Sequence, residues 1–154
     1  MSAGIVQAIY ISELEGHPMK KMQSVLVKQR GIVGDRYFSG NGHWSTFPDQ
    51  SGAALTLLAG EVIESSGFDG SVLRRNIVTL GIELGILINR EFAIGSIRCF
   101  GVRPCLPCKY LEDIIGSGFR KHHDGIRGGL RVEVLEGGVV AIGDPIELID
   151  SSVE

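Results

Sequence analysis

The sequence predicts a mostly-β barrel with a few short helices, and three observations support this prediction. The apolar runs are short and rich in β-branched residues, which is typical of strands. Glycine accounts for 22 of the 154 residues, and this excess over its usual share of roughly 7% predicts many tight turns. No G-x-G-x-x-G pattern opens a helix and no long βαβ unit is present, which disfavours a Rossmann-type domain. A chain of this length is expected to form a single domain, residues 1–154.

Short strands separated by turns follow one another along the chain. Strands are predicted at Ile5–Ile11, Gln23–Lys28, Ala54–Leu58, Arg75–Leu80, Glu91–Ile94, Ser96–Val102, Leu130–Leu135, Val139–Ile142 and Ile146–Ile149. Ala59–Ser66 and Lys109–Ile115 have the apolar spacing of short helices. Gly40–Asp49 has neither period and is expected to be a loop, whereas the Gly137-Gly138 pair predicts a two-residue hairpin.

Composition and charge exclude several classes of protein. The net charge is −3 and the isoelectric point is near 5.8, which argues against non-specific binding to nucleic acid. No run approaches 18 apolar residues, so we expect no membrane span. The N-terminus has no basic region before its apolar run, so a secretory signal is not expected. Three cysteines are an odd count, which favours reduced thiols and a cytoplasmic location over a secreted disulfide framework.

The sharpest chemical motif is the stretch from Arg103 to Lys109, with sequence RPCLPCK. It lies between a predicted strand and a predicted helix, and a helix N-terminus stabilises a thiolate through its unpaired N–H groups and its dipole. Together with the two flanking cations, this position should lower the pKa of Cys108 and make it a nucleophile or a ligand for a soft metal. The simpler interpretation is a pair of inert buried thiols in a turn that proline stiffens.

Two further interpretations of the cysteine pair remain open. Cys105 and Cys108 have the C-x-x-C spacing of a thiol–disulfide redox pair, although such a pair usually lies near the start of an α/β domain. They could also form half of a zinc site, completed by His122 and His123 or by Cys99, although structural zinc sites usually show a second pair of ligands.

Two polar turns are candidate binding elements. Gly34-Asp35-Arg36 suggests a tight turn that presents an acid and a base, although it could equally be a turn with a surface ion pair. The pair Arg74-Arg75, followed by Asn76, stands at a predicted strand start, where such a pair can bind an anion through forked hydrogen bonds. Their alternative role is a solvated basic edge that discourages strand addition.

A glycine-rich basic loop completes the set. Arg127 and Gly128 lie in the stretch GIRGGLR, whose backbone N–H groups could meet an oxyanion. The stretch lacks the Lys-Ser/Thr ending of a P-loop, so nucleotide binding is not indicated. A barrel could bring Arg36, Arg75, Arg127 and Cys108 together at one mouth, facing a ligand that bears phosphate, sulfur or a metal.

The order of these motifs resembles the MOSC domain family, found at the C-terminus of molybdenum-cofactor sulfurases and as small stand-alone bacterial proteins. The resemblance covers residues 20–149 and rests on GIVGDRY, LLAGEVIE, LRRNIVTLGIEL, REFAIGSIRCFGVRPCLPCKYLE and GGLRVEVLEGGVVAIGDPIEL, in that order. It implies a MOSC-like mixed β-barrel with an essential cysteine, thought to carry sulfur or to bind molybdenum in a pterin cofactor. Cys108 matches that cysteine best.

The resemblance also implies a polar pocket. The residues that correspond to it are Asp35, Arg36, Arg75, Asn76, Arg127 and Gly128. The family pattern often has an acidic residue before the asparagine, and Arg75 at that position makes the pocket more basic in this chain. In this interpretation the arginines bind the pterin phosphate, Asp35 orients one of them, and Cys108 ligates molybdenum or holds a terminal sulfur.

The functional expectation is therefore a protein that binds molybdenum cofactor or carries sulfur. A sulfur donor or a redox partner protein would be needed, and longer relatives with flavin and ferredoxin-type modules reduce N-hydroxylated compounds. Pyridoxal phosphate binding is associated only with the large sulfurases, and this chain has no room for that domain. The alternative is a non-catalytic small barrel that acts as an adaptor. The sequence does not decide between a monomer and a homodimer, or whether the isolated domain is catalytic.

Overall fold

The computed structural model describes residues 3–14, 18–39, 54–66, 74–104 and 129–149. These residues form a mostly-β structure, as the sequence predicts. The strands are β1 (Ala3–Ile11), β2 (Lys20–Met22), β3 (Ser24–Lys28), β4 (Gly31–Ile32), β5 (Leu55–Ala59), β6 (Ile77–Leu80), β7 (Glu91–Ile94), β8 (Ile97–Pro104), β9 (Leu130–Glu136), β10 (Gly138–Ala141) and β11 (Pro145–Leu148). The helices of the described ranges are α1 (Arg36–Ser39), α2 (Gly60–Ser66) and a 3-10 helix, Leu84–Leu87.

Seven of these strands close into a barrel. The strand order in the large sheet is β11-β7-β8-β9-β5-β6-β1-β2, and β1 also pairs with β11, which joins the two ends of the sheet. The pairing of β5 with β6 is parallel and the other pairings are antiparallel, so the barrel is mixed. Closure removes the exposed edges that an open sheet would offer to other chains.

The interior of the barrel is filled by apolar, mainly aliphatic side chains from every wall strand. The strands alternate, so that one face of each is buried in this core and the other faces outward. The largest fully buried side chains are Phe92, Ile9, Ile32, Leu55, Leu57, Leu58, Ile77, Leu87, Ile94 and Ile97. This burial supplies the main driving force for folding.

A small second sheet corrects one prediction. β9 and β10 are separated only by Gly137, but they do not pair as a hairpin: β10 pairs with β3 in a three-stranded sheet of order β10-β3-β4. A Cβ atom on Gly137 would lie 2.3 Å from the Val27 carbonyl oxygen. The glycine is therefore needed for the close approach of two chain segments rather than for a hairpin turn.

Most predicted strands match observed ones to within two residues. Four short elements are not predicted from the sequence, namely β2, β4, α1 and the 3-10 helix, because two to four residues are too few to show a period. The predicted strand from Arg75 begins at Ile77, so Arg75 and Asn76 precede β6 instead of lying within it. The predicted loop Gly40–Asp49 and helix Lys109–Ile115 lie outside the described residues.

Candidate functional site

A buried carboxylate organises one end of the barrel. Asp35 follows Gly34, whose φ of +96° favours glycine, and its N–H closes the turn on the Ile32 carbonyl at 2.9 Å. The side chain is buried, and Oδ1 accepts hydrogen bonds from the Ser12 N–H at 3.0 Å and from Asn76 Nδ2 at 3.4 Å. Asp35 thus connects its own turn to the end of β1 and the start of β6.

The neighbouring Arg36 is also buried, with an exposed fraction of 4%. Its Nη1 forms an ion pair with Asp35 Oδ1 at 3.0 Å, and its Nη2 donates to the Arg74 carbonyl at 3.3 Å. A third contact joins Nη1 to the Met19 sulfur at 3.7 Å. The Arg36 guanidinium therefore contacts an aspartate, a backbone carbonyl and a methionine of the protein itself. Such contacts are typical of a residue that fixes the positions of its neighbours.

Arg74 has a left-handed backbone with φ of +63°. A residue with a Cβ atom adopts this conformation at a cost of about 1 kcal/mol or more, so neighbouring contacts must hold it there. The Arg36 guanidinium supplies one of those contacts through the Arg74 carbonyl. The backbone conformation of Arg74 sets the position of Arg75, the next residue along the chain.

The Asn76 side-chain amide uses its full hydrogen-bonding capacity within the protein. Nδ2 donates to the Tyr10 carbonyl at 3.0 Å and to Asp35, while Oδ1 accepts from the Thr56 N–H and the Thr56 hydroxyl, both at 3.2 Å. The Asn76 N–H donates in return to the Thr56 hydroxyl at 3.0 Å. An amide with two donors and two acceptor positions has no further capacity, so Asn76 joins β1, β5 and the Asp35 turn.

A row of polar side chains crosses five neighbouring strands at this end. In register across the sheet, Tyr10 faces Asn76, Asn76 faces Thr56, Thr56 faces Arg131, and Arg131 faces Arg103. Residues opposite each other in a sheet project from the same face. The strand neighbours of this row, such as Leu57 and Val132, point into the core, so the row lies on the outer face of the wall.

Arg75 lies against the start of β9. A Cβ atom on Gly129 would be 3.3 Å from Arg75 Nε and 2.4 Å from the Leu57 carbonyl oxygen, and the φ of Gly129 is +112°. Glycine is therefore required both for the backbone conformation and for the approach of the guanidinium. Pro104 pairs with Leu130, so the described residues on the two sides of the gap at 105–128 lie next to each other, with Arg75 beside Gly129.

The structure brings together four of the predicted site residues, Asp35, Arg36, Arg75 and Asn76, on neighbouring turns. Cys105, Cys108, Arg127 and Gly128 lie outside the described residues, as do His122 and His123. The segment that contains them begins after Arg103 and ends before Arg131.

Thr56 and Ser12 are not predicted as site residues from the sequence, whereas Arg74 and Arg131 are predicted only as members of an arginine pair and of a basic loop. A signal exists for the face on which Arg131 lies, because an arginine between two core-facing aliphatic residues in a strand is expected on the outer face of the sheet. The pairing of Arg131 with Thr56 and Arg103 could not be found without the strand order.

Cys99 does not belong to this site. It is fully buried in the barrel core, and burial raises the pKa of its thiol to about 12. A protonated thiol among aliphatic side chains is a poor metal ligand, which removes Cys99 from the zinc interpretation. Within the described ranges, no group of three or more His, Cys, Asp or Glu side chains is placed to hold a metal ion.

Comparison with known proteins identifies the family. The family model described as "MOSC domain" matches residues 50–147. The chain belongs to the MOSC domain family. A mixed barrel is the fold expected of this family. The matched residues include both Arg75-Asn76 and the cysteine-containing segment.

Several solved structures share this fold. The YuaD protein from Bacillus subtilis superimposes with a TM-score of 0.76 at 19% identity, covering 95% of each chain. YiiM from Geobacillus stearothermophilus gives 0.67 at 18% identity, covering 98% of this chain and 77% of the other. YiiM from Escherichia coli gives 0.67 at 16% identity, covering 97% and 70%. No curated protein sequence matches this chain.

No helix in the described ranges combines the length and the apolar character needed to cross a bilayer.

Proposed function

We propose that this MOSC protein binds an anionic, phosphate-bearing cofactor of the molybdopterin type and uses the Cys108 thiolate to hold molybdenum or a transferable sulfur. The observation that carries the proposal is the concentration of arginines beside the two ends of the segment that contains Cys108. Arg75, Arg103 and Arg131 come from three different strands or strand ends and converge there.

The described residues fit the anionic part of such a cofactor. Arg131 and Arg103 are direct cross-strand partners, so two guanidinium-bearing residues stand side by side at this end of the barrel. Guanidinium groups bind phosphate through paired, charge-assisted hydrogen bonds. We therefore assign anion binding to Arg75, Arg103 and Arg131, with Arg127 added from the glycine-rich loop.

The buried polar residues have a different role in this proposal. The contacts of Arg36 with Asp35 and with the Arg74 carbonyl support a positioning role: Arg36 holds the left-handed turn that places Arg75. Asn76 fixes the same turn to β1 and β5. Neither residue needs to touch the cofactor to affect its binding.

Cys108 supplies the chemistry. A bound molybdenum cofactor would provide a metal centre for two-electron reduction, and the thiolate would be its protein ligand. In the sulfur-carrier version, the Cys108 thiolate attacks the outer sulfur of a donor persulfide. A new S–S bond forms to Cys108, the donor S–S bond breaks, and the donor leaves as a thiolate. A partner protein would supply the sulfur or the electrons.

The first test is the cofactor content of the protein. Wild type and Cys108→Ala would be purified without oxygen from a host that makes molybdenum cofactor, and molybdenum and pterin would be measured. Each would also be treated with a persulfide donor and examined by intact mass for a gain of one sulfur atom. We expect molybdenum or the added sulfur in wild type only. If wild type shows neither, the proposal is wrong; if Cys108→Ser still binds a partner normally, the adaptor alternative is favoured.

The second test separates anion binding from thiol chemistry. Arg75→Gln should weaken binding of inorganic pyrophosphate by about tenfold, because it removes one charge-assisted contact, while changing the alkylation rate of Cys108 much less. Arg98→Gln is a matched control, since Arg98 also lies in the barrel wall, at the other end of β8 from Arg103, where it is paired with Glu91 and Glu136. Equal effects of Arg75→Gln on pyrophosphate and thiol, or an equal loss in Arg98→Gln, would contradict these roles.

A further inference from the structure

A concave site lies at the end of the barrel wall opposite the row of polar side chains. The row of polar side chains that includes Arg131 and Arg103 is at the starts of the parallel strands β5 and β6. A cavity of about 580 Å³ opens where these strands end, between α2 and the 3-10 helix. This volume is within the range of small-molecule pockets, roughly 300–1,000 Å³. None of the described residues that line the cavity belongs to the candidate functional site around Asp35 and Arg75.

The floor of the cavity is apolar and firmly held. Ala59, Val62, Ile82 and Leu84 line it, and Ile82 and Leu84 are buried members of the barrel core. Such a floor offers a preformed apolar surface to a ligand, so little ordering is required on binding. An apolar body of a ligand would gain free energy by leaving water here.

Two glycines leave one side of the cavity open. A Cβ atom on Gly85 would have no neighbour within 4 Å, and the nearest neighbour of a Cβ atom on Gly81 would be 3.7 Å away. Gly85 has no left-handed backbone that would exclude a side chain. The absence of a side chain at Gly85 is therefore not required by local packing, and it keeps this side of the cavity accessible.

The charged groups of the lining are both carboxylates. Glu61 Oε2 accepts a hydrogen bond from the Gly81 N–H at 2.8 Å, which fixes that carboxylate against the wall. Glu83 is the N-cap residue of the 3-10 helix, but its side chain forms no capping hydrogen bond with the helix. Among the described residues, no lysine or arginine is part of the lining. The electrostatic field of the cavity therefore favours cations and disfavours anions.

We propose that this cavity binds a small organic cation, namely a primary amine attached to an apolar or aromatic body. The ammonium group lies between Glu61 and Glu83, and the apolar body covers Ile82 and Leu84. The basic end of the barrel would take anions and this end would take cations, so the two sites select ligands of opposite charge. The proposal does not depend on the function assigned to Cys108.

The direct test is a titration of the isotopically labelled full chain with phenethylamine, followed by nuclear magnetic resonance. We expect saturable shifts at the Gly81 and Gly85 amides. 2-Phenylethanol and 3-phenylpropionate, which have a similar body with no charge and with a negative charge, should bind more weakly in that order. Equal binding of all three, or no saturable shift with phenethylamine, would overturn the proposal.

Variants locate the site. Gly85→Leu fills the cavity and should weaken phenethylamine binding by at least about tenfold, whereas Gly85→Ala should change it by less than about twofold. Glu83→Gln should weaken binding about threefold, the size expected of a partly exposed ion pair. Glu13→Gln, which removes an exposed carboxylate elsewhere, is its control. Unchanged binding in Gly85→Leu would show that the amine binds elsewhere and would also overturn the proposal.

Discussion

At the scale of single residues, the buried ion pair between Asp35 and Arg36 links the turn, the end of β1 and the start of β6. The Gly-Asp-Arg turn predicts both residues as candidate site residues, but a turn with an exposed ion pair has the same sequence. Burial distinguishes the two cases, because a buried charge requires a partner whereas an exposed one does not.

Asp35→Asn should destabilise the protein by about 3 kcal/mol, because it removes the carboxylate that neutralises the buried Arg36. Urea denaturation measures this change. The double variant Asp35→Asn/Arg36→Met should recover at least half of the loss, because it no longer leaves a buried charge. Strictly additive effects of the two single substitutions would contradict a coupled pair.

The Cys99 thiol gives the protein a predictable alkaline sensitivity. Burial raises its pKa from 9.0 to about 12, so the unfolded chain loses this proton at a lower pH than the folded chain does. The stabilising contribution is fully present below pH 9 and is lost as the pH rises from there toward 12.

Cys99→Val should therefore flatten the fall in the free energy of unfolding above pH 9, by up to about 1.4 kcal/mol per pH unit relative to wild type. Denaturation of both proteins at pH 8 and at pH 10.5 provides the comparison. Parallel pH profiles would show that Cys99 is not the titrating group.

At the scale of elements, the bulged strand β8 fits closely against the 3-10 helix. The pairing of β8 with β9 shifts register between Gly101 and Arg103, and Gly101 exchanges hydrogen bonds with Asn89 and Arg90. A Cβ atom on Gly101 would lie 2.1 Å from the Leu87 carbonyl oxygen. The shifted register is also what places Arg103 opposite Arg131.

Gly101→Ala should cost about 3 kcal/mol, because the backbone atoms around it must move apart. Gly85→Ala is the matched control in the adjacent 3-10 helix and should stay within about 0.5 kcal/mol of wild type, since its added methyl group meets no neighbour. Thermal and urea denaturation of both variants test the contrast. A similar loss in the two would mean that general glycine effects, rather than close packing, determine the cost.

At the scale of the whole molecule, barrel closure depends on the contact between the first and last strands. β1 pairs with β11, and Ile146 of β11 is fully buried opposite Gly4 on one side and Ile94 on the other. This contact joins residues near the two ends of the described chain. It closes the sheet that carries both the row of polar side chains and the cavity.

Ile146→Ala should destabilise the barrel by about 3 kcal/mol through lost burial and the cavity left behind. Ile5 lies at the same β1–β11 contact but is 45% exposed, so Ile5→Ala should cost less than about 1 kcal/mol. Equilibrium denaturation decides between them. A larger loss for Ile5→Ala would show that Ile146 is not part of the closing core.

The sequence alone determined the family, the mostly-β class and most strand positions, because alternation, glycine punctuation and motif order are local features. It also singled out Asp35, Arg36, Arg75 and Asn76 as residues for a polar site. Only the tertiary structure decided which of these are buried, since burial depends on neighbours that are distant in sequence. Strand order likewise placed Thr56, Arg131 and Arg103 in one row and showed that β10 leaves the barrel wall. Register arises from packing of the whole sheet, and no short window of sequence contains it.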